Sequence, residues 1–439
     1  MLNLKNQIRA AVAASRARIM TIAEQILHHP ELGYREFQAS RLMRDLFGEL
    51  GLPVQENLAI TDCRAVLDSG RPGPTVALLG EFDALPVPAH PLADPATGAA
   101  HACGHHAQSA ALAGAAIALT ATKAREKLSG KIVFITCPAE EFQGLDFCRK
   151  LIAEKKLVYC GGKAELIRLG VFDDVDIAMM IHGGCEHFSP ASFNGFVMKK
   201  IVFTGKASHA GLKPQLGINA LSMARQALSL IDAQRDTFED QDSVRIHGII
   251  THGGAAVNVV PDRVELELQI RGKTPAAIRD AAEKVERCLQ AAAMAFAGAV
   301  QVETLPGYMP FKSCPELEQL HAANLKSIAP EVTFSTGTHR GSSTDMGDVS
   351  MIIPSLHAYN GGFTGTPHGT DFLVTDPDQA YVQAAALLAL NAVDLLFGDA
   401  ATGKRIAALP TPLRREEYRQ LMLETSRPAE WNYRKDKAV

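Results

Sequence analysis

The sequence predicts an α/β protein: a mostly parallel sheet layered between helices, interrupted by an inserted ferredoxin-like α+β unit. Three observations predict it. Thr75-Val-Ala-Leu-Leu-Gly80 and Lys131-Ile-Val-Phe-Ile-Thr-Cys137 are short apolar runs, the pattern of strands buried on both faces of a parallel sheet. From about Val197 the pattern changes to alternation, as in Arg263-Val-Glu-Leu-Glu-Leu-Gln-Ile-Arg271, which marks strands with one wet face. After Leu305 the parallel-sheet signals return, so the alternating stretch is an insertion. The expected boundaries are 1–196 plus 309–439 for the main domain and 197–308 for the inserted one.

Taken in order, residues 3–29 carry apolar positions at helical spacing and stop at His28-His29-Pro30, because proline disfavours helix in the residue before it. His28 and His29 are read as caps on that helix end. A second helix runs from Glu36 to Leu52. Ala107 to Leu119 is a helix of small residues able to pack closely on a sheet. Residues 142–172 form a longer helical excursion, Leu145–Tyr159 and Lys163–Leu169, broken at Gly161-Gly162. In the insertion, strands at 198–204, 245–251 and 263–271 alternate with helices at 220–235 and 275–296, which supplies the first five elements of the β-α-β-β-α-β order of a ferredoxin-like unit. The return to the main domain brings a helix at 316–328, a strand at 351–357 and a last strong helix at 379–397. The charged tail from Pro410 is placed on the surface or at an oligomer contact.

The apolar runs share one feature. Each delivers acids or histidines at or near its C-terminal end: Asp83, Glu140 and Glu141, His182, His357. Ligands of open α/β sheets bind outside those strand ends. Adjacent carboxylates in a cleft repel unless a cation neutralises them. A lone Glu-Glu pair is usually a solvated loop, but here Cys103-Gly-His105 opens a helix on the same edge, and thiolate and imidazole both suit zinc-like ions. A metal-dependent enzyme is the expectation. His247, alternating in a strand, and His321, on a helix read as a surface one, need no function.

A net charge of −4 without a Lys/Arg block excludes nucleic acid or an anionic membrane as the main partner. No apolar run reaches the roughly 18 residues that span a bilayer, and the N-terminus lacks a signal-peptide pattern. Eight dispersed cysteines read as reduced thiols, hence a cytoplasmic location.

Six motifs fall in the order seen in M20 peptidases: Pro30-Glu-Leu-Gly33, Phe82-Asp-Ala-Leu-Pro86, His101-Ala-Cys-Gly-His105, Pro138-Ala-Glu-Glu141, Gly205-Lys-Ala-Ser-His-Ala-Gly211 and Asn258-Val-Val-Pro261. The chain most resembles the amidohydrolase (M20D-like) branch, and Ser343-Thr-Asp-Met-Gly-Asp-Val-Ser350 resembles the aminobenzoyl-glutamate utilisation and related dipeptidase proteins. The resemblance implies two divalent ions, zinc or manganese, held by Cys103, His105, Glu141, His182 and His368. It implies Glu140 as general base and His209 as a lid histidine that completes the partner subunit's site. Asn258 and Arg271 match positions that hold a substrate carboxylate, and the insertion becomes a lid through which a homodimer or higher oligomer forms. The activity implied is hydrolysis of the amide in an N-acyl or N-aroyl amino acid or dipeptide-like substrate by a metal-activated water. Removal of the amino group from an aromatic acid such as a substituted aminobenzoate is the alternative, and an inactive binding paralogue is the alternative of another class. Three departures stand out: His106 replaces the family's Asp, His368 stands alone where the family has a His-His pair, leaving His357 as the other choice, and the 142–172 stretch is long enough to reshape the pocket mouth.

Overall fold

In the computed structural model, which describes residues 1–434, the apolar runs become the middle of an eight-stranded sheet. Its order is Val54–Glu56, Cys63–Asp68, Lys131–Cys137, Thr75–Glu81, Ile177–Gly183, Ser355–Asn360, Phe188–Ser189 and Ser335–Thr336. The four strands from Lys131–Cys137 to Ser355–Asn360 run parallel, so their C-terminal ends share one edge. Cys63–Asp68 runs antiparallel to Lys131–Cys137. The helix His105–Ala121 lies on Thr75–Glu81, and the helices Leu2–Ala14, Arg16–Leu27 and Ala384–Leu396 pack onto it. Its alanines are buried nearly all round, as small side chains permit close approach of helix to sheet. The first unit comprises Met1–Ser192, Phe311–His339 and Asp345–Arg414.

The N-terminal periodic stretch is two helices rather than one. The chain turns at Ser15, which lets Leu4, Ile8 and Val12 of one helix and Ile19, Ile22 and Ile26 of the next all bury. The stretch expected as a strand at 351–357 is helix Met346–Ile352 followed by a strand that begins only at Ser355. Pro354 separates them, and Ile353 before it is extended (φ −144°, ψ 134°), as a residue preceding proline prefers. His321 is fully buried beside Asn391, not on the surface. His29 does cap its helix, through Nδ1 and the Gln25 carbonyl at 2.8 Å.

The second unit comprises Phe193–Pro310, Arg340–Thr344 and the chain from Arg415. Its five-stranded antiparallel sheet has the order Arg245–His252, Arg263–Gly272, Gly195–Thr204, Ala299–Pro306 and Arg427–Asn432. The helices Ala220–Ala233 and Pro275–Ala295 cover its buried face. Asn219 and Thr274 start those helices by accepting backbone N–H bonds, the usual role of such residues at an N-terminus. The fifth strand is unexpected: Arg427–Asn432 pairs with Ala299–Pro306, so the tail assigned to the main domain by the 309–439 boundary belongs to this unit. All eight cysteines are free. One helical stretch, Asp378–Leu396, is long and apolar enough to cross a membrane once its few polar residues are tolerated, and most of it is buried in the core.

Candidate metal centre

Five segments bring their side chains to the C-terminal edge of the large sheet. Thr75–Glu81 ends in Glu81 and leads to Asp83. Lys131–Cys137 is followed by Pro138 and Ala139, whose φ of +49° is costly for a residue with a Cβ. That turn directs Glu140 and Glu141 over the sheet. Ile177–Gly183 delivers His182, and a Cβ on Gly183 would collide with the Phe363 ring, so only glycine lets the ring close over this strand end. Cys103 and His105 come from the turn and first residue of helix His105–Ala121. His368 sits at φ +66° with its N–H donated to the Ala102 carbonyl at 2.8 Å.

The candidate ligands expected from the sequence meet here. Ligand atoms of Cys103, His105 and His182 lie within 4.8 Å of one another, and so do those of Cys103, Glu141 and His368. The two triplets share Cys103, the arrangement a pair of ions with a bridging thiolate would need. A third triplet, Glu81, His105 and Glu140, is less suited to an ion, because both Glu81 oxygens are already taken: Lys163 Nζ donates to one at 2.5 Å and Gln108 Nε2 to the other at 2.6 Å.

The tautomers suit metal binding. His182 Nδ1 donates to the Gly183 carbonyl at 2.7 Å, which leaves Nε2 facing Cys103 Sγ at 3.5 Å. His105 Nδ1 meets the Asp83 carbonyl at 2.8 Å and its carboxylate at 3.0 Å. His105 Nε2 and Glu141 Oε1 are buried with no hydrogen-bond partner among the described residues, and they stand 3.8 Å apart. Such groups cost free energy when left unpaired, so the donor set fits a divalent cation. Burial pushes the Cys103 thiol well up and Glu141 up to about 7, while it lowers His182 to about 4. Burial, with Glu81 and Glu141 beside it, also pushes Glu140 well above the usual carboxylate range.

Sequence reasoning missed the roles of the groups behind this layer. Asp83, not the residue at position 106, is the acid that orients His105. His106 faces away, with Nε2 3.2 Å from the Tyr381 hydroxyl, and burial holds it neutral. Lys163, Glu81 and Asp345 form a fully buried charged triad, and Asp345 Oδ2 also accepts the Lys163 N–H at 3.0 Å. A Cβ on Gly162 would overlap the Pro138 carbonyl oxygen, so glycine there lets Lys163 reach under the strand end. His357 lies within its strand and stacks on Tyr359 and beside His182; His368, 3.4 Å from Glu141, is the histidine in the cluster.

The remaining expected residues lie in the second unit. His209 is exposed, and its Nδ1 accepts the N–H groups of Gly211 and Leu212 at 3.2 and 3.0 Å. That leaves Nε2 as the nitrogen that carries the proton. Asn258 is on the adjoining loop, its carbonyl accepting the Ala210 N–H at 2.9 Å. Arg271 donates to Ser343 Oγ at 2.8 Å and to Gln269 at 2.9 Å, and lies over Phe196.

Comparison with known proteins agrees with this arrangement. Residues 192–296 match the M20 peptidase dimerisation domain. The chain is 28% identical to the Xaa-Arg dipeptidase of Mus musculus, over 90% of this chain and 89% of that one. It is 26% identical to a p-aminobenzoyl-glutamate hydrolase polypeptide of Escherichia coli, over 86% and 88%. A dinuclear metal binding peptidase of the M20 family from Bacillus subtilis superposes with a TM-score of 0.66 at 20% identity, covering 88% of this chain and 99% of that one. Fold, donor set and relatives together define a metal-dependent hydrolase of amide bonds. The chain is similar over most of its length to peptidases and amidohydrolases of the M20 type, and residues 192–296 match their dimerisation domain.

Proposed function

We propose that this enzyme hydrolyses the amide bond of an N-acyl or N-aroyl amino acid, or of a dipeptide-like substrate, whose leaving amine carries a carboxylate. The observation that carries the proposal is the pair of ligand triplets sharing Cys103, with the buried Glu140 alongside. Cys103, His105 and His182 would hold one divalent ion and Cys103, Glu141 and His368 the other, zinc or manganese. When bound, such ions supply Lewis acidity and lower the pKa of water. Glu140 takes the proton of the attacking water and returns it to the leaving nitrogen. His209 donates Nε2–H to the oxygen that gains charge, and Asn258 and Arg271 receive the carboxylate.

A shared site is supported by distances within the second unit. Thr204, which leads into the His209 loop, pairs with Arg263, whereas Phe196 pairs with Arg271 at the other end of the same strands. Eight residues of strand separate these ends, about 27 Å. His209, with Asn258 beside it, and Arg271 of one chain therefore cannot grip one small substrate, but His209 and Asn258 of one protomer and Arg271 of another can. The strand Arg245–His252 is a free sheet edge with Ile249 and Ile250 exposed, a feature that invites pairing. We assign it to a two-fold contact in a cytoplasmic homodimer, with residues 193–310 acting as lid. Mixing Glu140→Gln with His209→Ala subunits should then restore about half of one dimer's activity, since two-fold symmetry gives one site with both defects and one with neither. If every site uses its own His209, the mixture stays at background after confirmed subunit exchange.

The reading as a whole is tested by an activity screen of the purified protein loaded with zinc or manganese against N-acyl amino acids, dipeptides and aminobenzoates. Release of a free amino acid supports it. Ammonia release from an aminobenzoate, or no turnover of any amide, contradicts it.

A further inference from the structure

A cavity of about 240 Å³ opens beside Asp83 and Glu141 within the first unit, and no part of the mechanism above uses it. Its walls include Leu32, Pro86, Phe142 and Phe147. The long 142–172 stretch builds one side. Its helix Leu145–Ala153 buries Cys148 and Leu151 against Tyr34 and Ala139 in a small hydrophobic cluster of its own. Phe142 and Phe147 are only partly buried and pack on the rim of that cluster. Phe142 is held at φ +49°, a strained conformation for a bulky residue.

Polar groups are few. The Tyr34 hydroxyl donates its proton to the Tyr159 carbonyl at 3.3 Å, so it has no proton left to donate to a ligand. Arg35 lies over the Phe147 ring, 4.1 Å from its centroid, and has no carboxylate partner among the described residues. A guanidinium stacked on one ring at a pocket rim can face a second flat group on its other side.

We propose that this cavity is the specificity pocket for the acyl half of the substrate, and that the acyl group it selects is aromatic. This rests on the hydrolase reading. The scissile carbonyl must reach the centre at Glu141, and Glu141 also lines this cavity, so the cavity lies within reach of the group attached to that carbonyl. The volume accommodates one ring and a short linker, and aromatic walls favour a ring in offset or edge contact. An open-chain acyl group would fill the space without that geometry.

The test uses the metal-loaded full chain and three substrates with one common leaving amino acid, carrying acetyl, hexanoyl or benzoyl groups. Benzoyl should exceed both others in kcat/KM by about tenfold, the discrimination one apolar pocket can give. Phe142→Ala and Phe147→Ala, at partly exposed positions that leave the fold intact by circular dichroism, should each cost benzoyl about tenfold, mainly in KM. Acetyl should change less than twofold. A wild-type preference for acetyl or hexanoyl, or equal losses on all three, overturns the pocket assignment while leaving the hydrolase reading standing. If no amide is cleaved, that reading fails, and calorimetric titration with N-benzoylglycine decides the pocket separately. Binding weakened by Phe147→Ala sustains it, and no binding to the wild type overturns it.

Discussion

Glu140→Gln should lower kcat by about 10³-fold, within the range assigned to general acid–base groups, while metal content stays at the wild-type level. The substitution keeps the shape of the side chain and removes its basicity. Glu140 is well placed for proton transfer rather than ligation. It is buried, its Oε2 lies 3.9 Å from His105 Nε2, and burial next to Glu81 and Glu141 raises its affinity for a proton, which suits an acceptor that later hands the proton on. Neither triplet that shares Cys103 includes it. Elemental analysis of the purified variant beside steady-state rates checks both halves of the result. Loss of metal with loss of rate would mean that Glu140 and Glu141 have exchanged roles.

Lys163→Met should destabilise the first unit by about 3–5 kcal/mol, the cost of leaving buried charges without their partner. Lys163 is fully buried, with Glu81 on one side and Asp345 on the other. Burial alone would discharge the ammonium, but the two carboxylates outweigh it and hold the lysine charged. Methionine has a similar length and fills the space, so the loss is electrostatic rather than a cavity. Combining Lys163→Met with Glu81→Gln and Asp345→Asn removes all three charges, and most of the stability should return. Urea unfolding of the metal-free proteins measures this. A single variant within about 1 kcal/mol of the wild type would show that the triad is not a structural ion cluster.

The triad also marks where sequence reading ends. Runs such as Thr75–Gly80 and Lys131–Cys137 announce buried strands because every position is apolar or nearly so, and the residues after them announce the centre because acids rarely follow such strands in pairs. The insertion is as legible, since period-two alternation in Arg263–Arg271 has no helical reading. Lys163, in contrast, opens a short helix and looks like any solvated lysine. Only the fold shows that it runs under the strand ends to Asp345, almost two hundred positions later. Cys63–Asp68, with Arg64 inside it, lacks the apolar continuity of its neighbours, and its place beside Lys131–Cys137 is set by pairing. Arg427–Asn432 is half polar, with a proline inside it, and becomes a strand because the edge of Ala299–Pro306 is there to receive it. Asp83 falls within a recognisable motif, yet its bond to His105 Nδ1 depends on a loop geometry that spacing does not encode.

Anomalous diffraction from crystals of the zinc-loaded protein, recorded at the zinc edge, tests the central claim most directly. Two peaks per chain are predicted, both within about 2.0–2.4 Å of their protein ligands. One should touch Cys103, His105 and His182 and the other Cys103, Glu141 and His368, with no peak on Glu81. A single peak, or peaks coordinated by His357 or by Glu81 and Glu140 in place of the Cys103-sharing sets, would contradict it.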